Sequence, residues 1–392
     1  MEPGPHPAVD APRSADVVVI GGGIIGCAAA AIMADRGARV VVVEATAIGA
    51  GASGRNLGAV QHPFDPVLAD LYQESLVRYR ALAEVTETDF AIGSAPAGLL
   101  LLNPNADAAA VQARRMSVAF PELAAELISP EALQRLEPSL APGPSAVRLA
   151  TGYPIPPASA TAAWASLAEE RGVRFVIGVR ASPAVESGRA TGVTLADGGS
   201  IGAGAVVVAT GPWSPPLVDP SGAWRGIHAT FGVTLQLRLG QDGPRHVVEE
   251  DEVDELNRAA AATARAAEAG EDGDPPSLFS IASAGGISTL GSTFLAHEPD
   301  PVEIQALLLR RAAEFLPAVV EAEIVGRRMC ARPQSVDGRP FIGPVEGVNG
   351  MFLCAGHGPW GISTGPASAA MVARAVLDGT RPRPELAASR PV

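Results

Sequence analysis

The chain has 392 residues, enough to bury two separate cores. It carries 42 acidic against 29 basic side chains, a formal charge of −13, which excludes the basic surface that nucleic acid or an anionic membrane requires. Three cysteines (Cys27, Cys330, Cys354) are too few and too odd for a disulfide framework and point to a reducing, cytoplasmic compartment; six scattered histidines show no metal-ligand spacing.

In chain order, residues 1–14, rich in Pro and Ala, read as a disordered tail. Asp16–Ile20 reads as a buried parallel strand, β-branched throughout. An Ala-rich helix follows from about Ile24 to Arg36, with Gly37 at the C-cap, then a strand from Arg39 to Val43 ending at Glu44. The uncharged run Val17–Ala34 approaches membrane-spanning length, but Gly21–Gly23 divide it into two shorter elements, so no membrane insertion is expected. Residues 96–144 read as helices punctuated by prolines. Ala158–Arg171 reads as a helix and Val173–Val179 as a strand. Gly192–Leu195, the turn Asp197-Gly198 and Ser200–Ile201 predict a hairpin, and Ala205–Ala209 a further buried strand. Phe231–Leu239 and Gly286–Thr293 read as strands, Val302–Phe315 as a helix. Between them, residues 249–276 hold ten carboxylates and two arginines, −8 of the total charge, and read as a mobile acidic insert. Met351–Cys354 is a short strand, followed by a glycine-rich turn and a helix from about Thr364 to Leu377.

Gly21-x-Gly23-x-x-Gly26 stands between the first strand and the first helix. The first glycine permits a tight turn, the second admits a pyrophosphate against the backbone, and the third lets helix and strand approach. The helix N-terminus, with Ile24 and Ile25, offers free N–H groups to phosphates. Glu44, beside Ala45 at the end of the next strand, is placed to accept ribose hydroxyls, which favours FAD or NAD over NADP. The expected class is therefore α/β. A Rossmann-like nucleotide lobe takes residues 15–95, 145–225 and 325–392. A discontinuous α+β substrate lobe takes 96–144 and 226–324 and is built on an antiparallel-rich sheet.

Three further segments choose between the dinucleotides: Ala52-Ser53-Gly54-Arg55-Asn56-Leu57-Gly58, Val206-Val207-Val208-Ala209-Thr210-Gly211-Pro212-Trp213-Ser214, and Arg332-Pro333-Gln334-Ser335-Val336-Asp337-Gly338-Arg339-Pro340 leading to Gly356-His357-Gly358-Pro359-Trp360-Gly361-Ile362-Ser363. In order and spacing the chain resembles the D-amino-acid oxidase superfamily of flavoproteins, in its glycine oxidase, sarcosine oxidase and D-amino-acid dehydrogenase group. The resemblance spans about residues 15 to 380, is weak in 96–144 and is absent from the acidic stretch. It implies FAD as cofactor. It further implies hydride transfer from the carbon beside an amine nitrogen to flavin N5, giving an imine that hydrolyses. Ser53 to Asn56 would run past the ribityl chain and flavin, and Thr210, Gly211 and Trp213 would touch the cofactor. The turn Gly356–Ile362 would face the flavin pyrimidine with its N–H groups. Ala181 stands where the family places a valine that meets adenine through its backbone.

The same resemblance implies that Arg332 clamps a substrate carboxylate through paired N–H bonds. His62 falls where sarcosine oxidases carry a substrate-binding arginine, and a structural histidine before Pro63 is the alternative. His357 is expected to face the pocket or to pack, and Trp360 to wall the pocket; Trp164 and Trp224 are assigned to packing. Thr289 replaces a lysine that sarcosine oxidases use with oxygen, so molecular oxygen and another electron acceptor both stay open. Cys330, seven residues before Asp337, has the spacing of a cysteine that sarcosine oxidases link to flavin, whereas Arg332-Pro333 follows the glycine oxidase pattern with non-covalent FAD, the favoured reading. A small carboxylate-bearing amine is the expected substrate. A 2-hydroxy acid, or a role as the flavin-bearing subunit of a larger dehydrogenase, is the alternative.

Overall fold

The computed structural model describes residues 11–251 and 277–391. The first strand, Ser14–Ile20, lies between Val40–Glu44 and Ser200–Val208, parallel to both, with Val17 to Ile20 in register with Val40 to Val43. Both faces of this sheet are covered, which is why its valines need no polar alternation. Met351–Ala355 and Phe341–Pro344 extend it on one side and Arg174–Ile177 on the other. The hairpin expected near Asp197 forms, but its second arm and the buried strand after it are one element: Ser200–Val208 pairs antiparallel with Arg189–Leu195 at its start and parallel with Ser14–Ile20 along its length.

The Ala-rich helix Ile24–Asp35 packs against the C-terminal helix Gly361–Asp378 and against Pro157–Glu170. Gly37, at φ +88°, makes the left-handed turn that ends the first of these helices. The C-terminal helix contains Pro366, which has no N–H to give the carbonyl of Ile362 one turn earlier. Tyr79, fully buried on the helix Pro66–Val85, donates its hydroxyl to that carbonyl at 2.7 Å. A side chain from another element thus satisfies the orphan and fixes the first turn of the helix.

The second sheet runs in the order Glu323–Ser335, Ile227–Arg238, Ile287–Thr293, Ser277–Ala284, Val247–Glu250, Leu99–Asn103, Ser145–Leu149, Glu126–Ile128. Every pair is antiparallel except Val247–Glu250 with Leu99–Asn103. Alternation sorts its faces: Val233, Leu235 and Leu237 pack with Leu308, Ala312 and Phe315 of the helix Pro301–Ala313 and its continuation, while Thr234 and Arg332 turn toward the nucleotide lobe.

Three expectations differ from this layout. The strands Ser145–Leu149 and Glu323–Ser335 belong to the second sheet, so the crossings expected at 145 and 325 fall after these strands. Residues 96–144 contain two strands as well as helices; in the strand Leu99–Asn103 the four leucines Leu99 to Leu102 are an uninterrupted apolar run that the sheet buries on both faces. Glu249 and Glu250 do not begin a solvated insert; they end the buried strand Val247–Glu250. The rest of the expected insert, from 252 to 276, and residues 1–10 of the expected tail lie outside the described residues. Among the described residues no helix is long and apolar enough to cross a membrane.

Candidate active site

The glycine turn sits at the carboxyl edge of the parallel sheet. Gly21 has φ +112°, and a Cβ there would stand 2.5 Å from the carbonyl oxygen of Ala209. A Cβ on Gly26 would fall on the carbonyl oxygen of Gly21, so only glycine lets the helix start this close to the strand. Gly23 faces Ser53, whose Oγ accepts the N–H of Ile24 at 3.0 Å and so braces the helix N-terminus. The Glu44 carboxylate accepts the N–H of Gly22 at 2.7 Å on one oxygen and the N–H of Thr46 at 2.9 Å on the other. It therefore shapes the turn as well as offering its remaining lone pairs outward.

Around this turn opens a cleft of about 700 Å³. Gly21, Gly23, Ile24, Ile25, Glu44 and Ala45 line one end, and Ser53, Arg55 and Asn56 the flank. Ala181, Thr210, Gly211 and Trp213 also line it, and Arg332, His357, Gly358, Pro359, Gly361 and Ile362 stand at the far end. Nearly all the residues expected to hold a dinucleotide thus meet around one cavity. Gly26, Gly54 and Gly356 do not line it and act by close packing; a Cβ on Gly54 would stand 2.5 Å from the carbonyl oxygen of Gly49, and Gly356 adopts φ +88°. His357 is buried with neither ring nitrogen hydrogen-bonded, and burial pushes its pKa down to about 3, so it presents a neutral imidazole. Lining the cleft with both nitrogens unpaired, this ring is available to a polar ligand.

A second cavity of about 90 Å³ adjoins the first, with Arg55, Asn56, Cys330, Arg332, Pro359 and Ile362 common to both. Arg332 donates from Nη1 to the carbonyl oxygen of Thr293 at 2.8 Å and from Nη2 to Ser292 Oγ, with its guanidinium 4.9 Å from the Phe294 ring centre. Burial lowers its pKa, yet a guanidinium stays charged. Among the described residues no carboxylate forms an ion pair with it. Trp360 walls this pocket and meets Phe64 edge-on. Cys330 also lines it; burial raises its thiol pKa, and Arg332 and Arg55 pull the other way.

His62 lies elsewhere. It lines neither cavity, is wholly buried against Phe64, Tyr72 and Phe120, and among the described residues has only Glu122 Oε1, 3.5 Å away, as an ionic neighbour. Gln61, one residue earlier, lines the small pocket instead. Thr289 lines neither cavity; it pairs within the sheet with Gln236 and Ala282. Trp164 is buried in the nucleotide-lobe core, and Trp224 packs edge-on against Phe341. Sequence reasoning missed Gln61, Thr234, Glu249, Ser292 and Phe294, which come from four separate segments and carry no motif.

A parallel sheet with a glycine turn, an acid at the next strand and a long cleft over a second antiparallel sheet defines a two-lobed dinucleotide-binding oxidoreductase. The chain belongs to the FAD dependent oxidoreductase family, whose model matches residues 16–375. It is 28% identical over 380 residues to a glycine oxidase of Geobacillus kaustophilus, covering 91% of this chain and 92% of that one. It is 30% identical over 213 residues to a D-amino acid dehydrogenase of Rhizobium johnstonii, covering 53% of this chain and 45% of that one. The crystal structure of glycine oxidase from Geobacillus kaustophilus superposes with a TM-score of 0.80 at 22% identity, over 97% of this chain and 100% of that one. FAD is the cofactor of this family, and the cleft fits it: glycines stand where a pyrophosphate needs bare backbone, an acid waits at the second strand, and an unpaired imidazole lies at the far end. The family and these relatives support FAD-dependent oxidation of an amine or amino acid.

Proposed function

We propose that this protein oxidises the C–N bond of a compact amino acid or N-substituted amino acid, with FAD held non-covalently. The observation that carries the reading is Arg332: a buried guanidinium with no acidic partner among the described residues, set where the cofactor cleft opens into a small pocket. A buried charge left uncompensated is costly, so the pocket favours a ligand that brings an anion. Thr293 and Ser292 hold two of its N–H groups, which leaves the others to grip a carboxylate. Bound FAD supplies the two-electron acceptor, and this chain orients the substrate beside it. Gly21, Gly23, Ile24, Glu44 and Ser53 would hold the nucleotide half, and Thr210, Trp213, His357 and Gly361 the remainder. The walls formed by Trp360, Leu278 and Phe294 exclude water and disfavour an ammonium in the reacting position. Burial of Cys330 disfavours the thiolate that a covalent link would need, which supports the non-covalent reading. Molecular oxygen is the proposed acceptor, and three buried, unpaired cysteines support a cytoplasmic location.

The test is anaerobic bleaching of the bound flavin by a panel of amino acids, N-methyl amino acids and 2-hydroxy acids. Bleaching by amines, with Arg332→Ala weakening apparent binding by more than about tenfold, is the expected result; loss of one side of a charge pair costs about 2–5 kcal/mol. Bleaching by 2-hydroxy acids alone, or unchanged binding in Arg332→Ala, refutes it. Oxygen uptake compared with dye reduction separates oxidase from dehydrogenase.

A further inference from the structure

Among the described residues, two side-chain atoms of the small pocket are buried without a hydrogen-bond partner: Gln61 Oε1 and Thr234 Oγ1. They differ in what they can do. A threonine hydroxyl rotates and can donate or accept, whereas an amide carbonyl only accepts. Gln61, 6% exposed, is also held at both ends. Ser363 Oγ accepts its backbone N–H at 3.0 Å, in the first turn of the C-terminal helix that Tyr79 pins through the carbonyl of Ile362. The next residue is tied down as well, the N–H of His62 reaching Thr151 Oγ1 at 2.8 Å. At the tip, Nε2 of Gln61 stands 3.2 Å from each oxygen of the Glu249 carboxylate. A carboxylate accepts and does not donate, so the NH2 end of the amide must face Glu249 and the carbonyl end is left for the pocket. Arg55, which lines this pocket with Arg332, donates to the carbonyl oxygen of Met329 at 3.2 Å.

We infer that Gln61 is the amine-binding residue of this site: its Oε1 accepts an N–H of the neutral substrate amine whose carboxylate lies on Arg332. This rests on the proposed amino-acid oxidation and names a feature that selects within that class. The reacting amine must be neutral, and a carbonyl suits it, since an uncharged acceptor holds an N–H without the full negative charge that would fix an ammonium. The carbonyl takes only a hydrogen and leaves the nitrogen lone pair free. When the Cα–H bond breaks and its electron pair leaves with the hydrogen for the flavin, that lone pair forms the C=N bond and the nitrogen becomes positive. Its N–H is then the stronger donor, so the bond to Oε1 tightens in the transition state and speeds the step as well as orienting it. The assignment defines which amines fit. Primary and secondary amines supply the hydrogen; a tertiary amine leaves the buried carbonyl unpaired and is rejected.

The experiment uses the flavin-loaded protein and three probes, N-methylglycine, N,N-dimethylglycine and acetate, titrated anaerobically while the flavin spectrum is followed. The two amines are of similar basicity, so the share present as free amine cancels between them; acetate reads the Arg332 end alone. Wild-type protein should bind N-methylglycine at least about fivefold more tightly than N,N-dimethylglycine. The second methyl also adds bulk, and Gln61→Met separates the two effects, because it keeps the length of the side chain and removes the carbonyl. This variant should weaken N-methylglycine by about fivefold or more and leave N,N-dimethylglycine and acetate within about twofold, so that the preference for an N–H is lost. Parallel weakening of all three probes would mark a general loss of pocket shape and overturns the assignment. So does N-methylglycine binding unchanged in Gln61→Met. Equal binding of the two amines by wild-type protein overturns it too, whether or not the variant folds. The underlying function fails by a different sign: wild-type flavin that no amine bleaches. In that event the spectral shifts on binding the three probes still read Gln61.

Discussion

Gly232→Ala moves the substrate-binding arginine without touching its charge. On the neighbouring strand Gly232 pairs with Cys330, two residues from Arg332 on the same face. A Cβ at Gly232 would stand 2.6 Å from Arg332 Nη1 and closer still to Nη2 and Cζ. The tip of an arginine is ordinarily free to swing aside. This one is tied to the carbonyl oxygen of Thr293 and to Ser292 Oγ, so the added methyl must break or lengthen at least one of those bonds. A hydrogen bond to a charged group contributes about 1.5–3 kcal/mol, and about 2 kcal/mol corresponds to roughly thirtyfold in apparent affinity. Gly232 does not line the FAD cleft, so flavin content should stay at the wild-type level. The assay is anaerobic flavin reduction across a range of glycine concentrations, with bound flavin measured on the same sample. Wild-type glycine affinity in a fully loaded Gly232→Ala protein would show that the arginine relaxes freely and that its two anchors do not set the geometry.

Acid precipitation of the holoprotein should leave a yellow supernatant and a colourless pellet, because burial holds the Cys330 thiol protonated; a yellow pellet that turns colourless in Cys330→Ala would reverse this. Burial depresses His357 from 6.5 to about 3, so below its unfolded pKa the unfolded chain binds a proton that the native site refuses. In flavin-free protein this contribution destabilises the fold as pH falls from about 6.5 toward 3, by at most about 1.4 kcal/mol per pH unit. His357→Phe should flatten that acid limb in thermal melts between about pH 4 and 6.5, whereas parallel wild-type and variant profiles would place the ring in water.

What could be read from the chain alone was whatever local covalent geometry decides. The dinucleotide turn was legible because Gly21, Gly23 and Gly26 each answer a steric demand within a few residues of themselves, and Glu44 follows at the end of the next strand. Arg332 was legible through its neighbours Pro333 to Gly338, which a single strand and turn carry. The small pocket was not, since Gln61, Thr234, Glu249, Ser292 and Arg332 converge only when the second sheet has folded against the first lobe. His62 and Gln61 show how fine the distinction is. They are adjacent, both polar and both buried, and only one lines the pocket.

Glu249 and Glu250 take the same point further. In composition they were the first two charges of an acidic run, and a dense run of charge ordinarily resists burial. Val247 and Val248 before them were the only sign of a strand. Period-two alternation then sends the two carboxylates to opposite faces, but whether each face is tolerable depends on distant residues. For Glu250 the answer is Arg311, sixty-one positions on. For Glu249 it includes the Gln61 amide, 188 positions back. Each of these partners lies far from its carboxylate along the chain, so a reading confined to neighbouring residues sees only surplus charge.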